Sequence, residues 1–166
     1  MIHESKNLEE GKLLEGIMDV PWSELGGFEV PRWIMDLASA DQSIRLAAHR
    51  HLKKQVIDKG ARIPEDFGNL EDILKTDVAF FTIYFITTLL HEIPISRTAL
   101  PLDLIAILSG NISLNWNNLT HPVKGRAERI MIFLRDNIKV FTSLVHSESV
   151  PASELAAEIL DNLKDS

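Results

Sequence analysis

Apolar residues recur at helical spacing in one segment after another. In "PRWIMDLASADQSIRLAAHRHL" (31–52), Trp33 and Ile34 stand four and three residues before Leu37, which places all three on one helix face. Ile44, Ala48, Leu52 and Val56 then follow four residues apart. Pro31 suits a first helical turn, where its missing N–H would have had no partner. Asp41 is a good N-cap, because its carboxylate accepts backbone N–H bonds at the positive end of the helix dipole. The pattern predicts a helix from Pro31 to Ala38, a tight "SAD" junction, and a second helix ended by Gly60 as its C′ residue.

A looser version of the same arrangement follows. A loop over 61–67 with Pro64 leads to a short helix over Asn69 to Leu74, a "KTD" junction and a long apolar helix, Val78 to Leu90. Pro94 and a Ser96 cap predict a helix ending near Leu108, with Leu104, Ile107 and Leu108 facing inward. "SGNISLNWNNLTHP" reads as a polar loop with four asparagines and Trp116. Pro122 opens the longest predicted helix, in which Val123, Ala127, Ile130, Leu134, Ile138, Phe141 and Val145 keep one stripe to about His146. A last amphipathic helix spans Ser153 to Leu163, and Leu8 to Leu14 forms a short one near the start. Between the latter and Pro31, "GIMDVPWSELGGFEVP" reads as a linker with turns. No Asn-Gly or Asp-Gly hairpin turn separates alternating apolar runs, so the class predicted is all-α.

Helix pairs of this kind cannot bury their faces alone and stack on their neighbours. The second helix carries Asp41, Ile44, Arg45, Ala48 and Leu52 in the pattern D-x-x-[VI]-R-x-x-A-x-x-x-L. This resembles a HEAT repeat of the bacterial type, and residues 18–93 resemble the start of small bacterial HEAT-like proteins. The resemblance implies a single domain over 1–166: a short right-handed α-solenoid whose best-matched repeat is 30–60, with a looser pair at 67–93 and C-terminal helices over 97–165. It also implies that Arg45 belongs to a ladder between stacked pairs. The second junction, "LEDILKTDVAFFTIYFITTLL", lacks the arginine.

Composition narrows the function classes. Apolar residues make up 45% and charged residues 25% of the 166, the proportions of a globular chain. The most apolar uncharged run, Val78 to Leu90, has 13 residues, short of the roughly 20 a membrane-spanning helix needs. The charged N-terminus lacks a secretory layout, which predicts a cytoplasmic protein and makes "NIS" at Asn111 and "NLT" at Asn118 ordinary polar positions. The absence of cysteine excludes disulfides, thiolate catalysis and Cys-rich zinc sites. A net charge of -7 disfavours nucleic acid as partner. The charge alternates in blocks: -5 over 1–29, +3 over 30–60, -4 over 61–96, +3 over 97–146 and -4 over 147–166.

The candidate surface lies on the helix after Asp41. Arg45, His49 and Lys53 stand four apart, and Arg50 with Lys54 forms a parallel row, together a basic flank suited to an acidic partner or a phosphate-bearing ligand. His49 and His51 point to nearly opposite sides and cannot share a metal ion. "HEIP" at His91 has Ile95 where a zincin motif needs its second histidine. Trp22 and Trp33 read as packing anchors, and Trp116 as a recognition residue of the polar loop. No nucleophile with its base, paired carboxylates or phosphate loop stands out, so no catalysis, metal or cofactor is implied. The function expected is protein binding through Arg45, His49, Arg50 and Lys53 first and Trp116 second. Two alternatives remain. One is an immunity protein that neutralises a bacterial toxin, compatible with small size and acidity. The other is a nucleic-acid-binding protein of the DNA glycosylase type, known among HEAT-like folds.

Overall fold

The computed structural model of the chain describes residues 16–58 and 67–164. The helix expected at Leu8 to Leu14, the Gly60 stop and nearly all of the 61–67 loop lie outside them. Every regular element among the described residues is helical, as the apolar spacing predicts. In chain order these are α1 (Trp22–Leu25), α2 (Val30–Asp36), α3 (Gln42–Leu52), α4 (Phe67–Ile73), α5 (Val78–Leu90), α6 (Ala99–Asn115), α7 (Val123–Asp136), α8 (Ile138–Val145) and α9 (Val150–Lys164).

The α2–α3 pair forms where the pattern places it, with Pro31 in the first turn of α2. Asp41 caps α3: its Oδ1 accepts from the Ser43 backbone N–H at 2.9 Å and from the Ser43 hydroxyl at 2.7 Å. These bonds, the hydroxyl's first, hold the carboxyl below its ordinary value of 3.8. A carboxyl with a lowered folded-state pKa stabilises above the unfolded value and loses that contribution as pH falls through the folded one. Asp41→Ala should therefore lower the melting temperature by a constant amount above about pH 5, and the gap should narrow below the carboxylate range. A gap that does not change with pH would show that the ionised cap is not what the substitution removes.

α6 is the centre of the molecule. Its most extensive contact is with α9, and it also meets α3, α4 and α5. Pro101, Leu102, Leu104, Ile105, Ala106, Leu108 and Ile112 are buried around most of its circumference, the signature of a helix packed on several neighbours. Each such Leu or Ile contributes roughly 1.5–3 kcal/mol by leaving water. α5 runs over the predicted bounds and packs on α7 and α6.

Four local expectations are corrected. α6 continues past Leu108 to Asn115, because Ser109 and Ile112 are buried and Asn162 of α9 hydrogen-bonds to Ser109. The helix expected from Pro122 to His146 breaks at Asn137, whose side-chain N–H donates to the Phe133 carbonyl at 2.9 Å and competes with the helical ladder. Ser96 lies in a 3-10 turn (Ile95–Arg97), and Thr98 precedes the first turn of α6. Ile44 is 41% exposed rather than part of the core, so the α3 stripe begins at Ala48. α3 passes into one π-helical turn, Lys53–Ile57. The wider turn lets the adjacent residues Val56 and Ile57 both point inward.

Candidate functional site

The predicted basic flank divides when placed in three dimensions. Arg45 turns back on its own junction, where its Nη1–H donates to the Ser39 carbonyl at 2.7 Å and to the Ala40 carbonyl at 3.1 Å. Arg97 reaches the same junction from 59 residues away, donating to the Ala38 carbonyl at 3.1 Å. These carbonyls lie in the junction just after α2, so the two cations satisfy them and oppose the negative end of its dipole. Arg45 thus serves structure, with backbone carbonyls as its partners.

His49 is also engaged: its Nε2 stands 2.7 Å from Asp103 Oδ2, tying α3 to α6. His51 faces the other way and stacks on Trp33, with ring centroids 5.1 Å apart and planes at 10°. The two histidines sit on opposite flanks of α3, as their spacing requires, and hold different neighbours.

Arg50 and Lys53 remain on the outward ridge between those flanks. Both are exposed and neither forms an ion pair among the described residues. Leu46, 43% exposed, precedes Arg50 by one turn on that ridge. Trp116 is not part of this surface. It begins a 3-10 turn (Trp116–Asn118) directly after α6, half-buried under the Lys124 ammonium, which sits 5.2 Å from the ring centroid. Since Asp103 is 13 residues before it on a continuous helix, the two ends lie about 20 Å apart.

No family model, curated protein or solved structure matches the chain. The chemistry of its surfaces has to be read from the residues.

Beside the ridge lies an open groove of about 1140 Å3, bounded by the 24–30 turn, α2, the end of α3 and the α4–α5 turn. Val30, Val56, Ile73 and Val78 form an apolar floor next to the Trp33–His51 stack. The wall formed by the 24–30 turn is acidic, with Glu24 and Glu29; the end of α3 contributes His51 and Lys54, and the α4–α5 region contributes Asp72 and Lys75. The acidic wall is a tight turn built on Gly26 at φ +85°, a conformation open to glycine, and pinned by Thr76, whose hydroxyl donates to the Leu25 carbonyl at 3.2 Å. At its tip Phe28 is 77% exposed.

The groove escapes sequence reading. Trp33 and His51 are 18 positions apart, and nothing in their spacing distinguishes a stacked pair from two independent side chains. Phe28 offers a signal, an aromatic next to a double glycine in a turn, but that signal says nothing of its exposure. Among the described residues no group of three His, Asp or Glu side chains is placed to hold a metal ion, and no helix is long and apolar enough to cross a membrane.

Proposed function

We propose that the chain is a non-catalytic protein-binding module built as a short right-handed stack of HEAT-like helix pairs, and that it docks an acidic partner on the α3 ridge. The observation that carries this reading is the pair Arg50 and Lys53, exposed and without ion pairs among the described residues, on a chain of net charge -7. Cations that an acidic protein leaves unpaired on one rigid face steer an acidic partner and suppress basic ones. The α2–α3 pair, its closed junction, the link from Arg97 and the packing of α3 on α6 support the stacked-pair architecture.

A second reading draws on α9, where Glu154, Glu158 and Asp161 are exposed at i, i+4 and i+7. That acidic row suits a basic partner, as expected of an immunity protein that neutralises a toxin. Photo-cross-linking separates the two. A cross-linker in place of Leu46 should capture an acidic protein, and Arg50→Glu with Lys53→Glu should reduce the yield at least about tenfold. Capture from a cross-linker at Glu158 alone, with a basic protein as the product, would replace the first reading by the second.

A further inference from the structure

We propose that the groove beside α3 is a self-association surface, in which Phe28 of each copy enters the groove of the other across a two-fold axis. This surface is separate from the Arg50–Lys53 ridge and does not depend on the function proposed for it. The first observation is Phe28, the most exposed large apolar side chain among the described residues, at 77%. It stands at the lip of a groove whose floor, Val30, Val56, Ile73 and Val78, is apolar. Phe28 lines this groove and yet leaves most of its ring exposed, so among the described residues it is an apolar side chain without a full apolar contact.

The second observation is the distribution of charge. In a two-fold contact residue i meets residue j while j meets i, so the patch must be complementary to itself. A groove whose lining is acidic on the 24–30 turn, with Glu24 and Glu29, and basic at the end of α3, with Lys54 and His51, meets that condition. Rotation by 180° lays the acidic wall of one copy on the basic wall of the other, twice. A foreign segment would have to supply both charges and an aromatic anchor; a second copy already has them. The net charge of -7 opposes association over long range, but charges more than about 8 Å apart are largely screened at physiological salt, whereas the walls meet in contact.

The test is sedimentation velocity on the full chain over a hundredfold range of concentration. The parent chain should pass from monomer to dimer, and Phe28→Ala should weaken the dimer at least about tenfold, as loss of a central aromatic anchor does. Because Phe28 touches little of its own core, circular dichroism of that variant should be unchanged. Glu29→Lys and Lys54→Glu should each weaken self-association, and an equimolar mixture of the two should recover it as a heterodimer, since each reversed charge then faces its opposite. A parent that stays monomeric throughout, or a dimer indifferent to Phe28→Ala and not recovered by the mixture, would overturn the proposal.

Discussion

Replacing Trp22 with alanine is expected to lower the stability of the chain by about 3–5 kcal/mol, the range for deleting a large aromatic from a packed core. Trp22 is only 4% exposed although it lies in α1, a helix of four residues that could not persist alone. Its indole N–H donates to the Ile17 carbonyl at 2.6 Å, and its ring meets Phe81 and Phe85 of α5, each at 6.2 Å between centroids. Trp22 therefore helps to fasten the 16–29 segment to the core, together with the buried Ile17 and the Thr76 bond to Leu25. A domain of this size has on the order of 5–15 kcal/mol in total, so the loss is a large part of it. Trp22→Phe separates the two contributions: it keeps most of the buried area, removes the indole bond and leaves the Ile17 carbonyl only the Val20 N–H at 3.4 Å, and should cost nearer 1–3 kcal/mol. Urea denaturation measures both. A loss below about 1 kcal/mol for Trp22→Ala, with an unchanged slope against denaturant, would mean that the segment is held by other contacts. The same substitution reaches the surface. The acidic wall and Phe28 follow α1 directly, so loosening Trp22 should disperse the groove before the rest of the fold gives way.

The helix class, the α2–α3 pair, the Asp41 cap and the bounds of α5 are legible in the sequence because each depends on residues close along the chain. Thirteen uncharged residues between Asp77 and His91 leave one reading open, and the structure follows it. Trp22 is legible as an anchor because it is an aromatic in a short capping segment, although the rings it meets, Phe81 and Phe85, lie far along the chain. The misread positions depend on partners that apolar spacing and charge pattern do not single out, some near in the chain and some far. Arg45 looks like part of a charged row, but its partners are carbonyls of the preceding junction, which no charge pattern reveals. His49 looks like a free member of that row until α6 brings Asp103 against it. His51 and Trp33 become a groove wall only when α2 lies beside α3. Asn137 sits inside an unbroken apolar stripe, and only its bond to the Phe133 carbonyl shows that the helix stops there. Of the candidate site, the sequence supplies Arg50 and Lys53, whose role needs nothing but exposure; the groove requires the fold.

Gly110→Leu is the substitution on which the reading of 109–121 as a loop and its observed place in α6 disagree most. Leucine is the better helix former by about 0.8–1 kcal/mol, so propensity alone predicts a gain. In a polar loop the exchange would be near neutral, within about 0.5 kcal/mol. In the folded chain, however, Gly110 lies against α9: a Cβ placed there would come within 3.4 Å of Asn162 Nδ2. That amide donates to the Ser109 hydroxyl at 3.0 Å and to the Ala106 carbonyl at 3.3 Å, in the most extensive helix contact of the molecule. A leucine must push Asn162 aside or lift α9 from α6. Overpacking costs about 1–3 kcal/mol, and the displaced amide bonds add roughly 1 kcal/mol each. These terms outweigh the propensity, so the net expectation is a loss of about 1–3 kcal/mol. Leu114, 59% exposed on the same helix, provides the control, since Leu114→Ala touches no such contact and should change little. Stabilisation by Gly110→Leu would show that the α6–α9 contact yields more easily than its hydrogen bonds imply. It would also return "SGNISLNW" to the class of segments free to meet a partner, with Trp116 at its end.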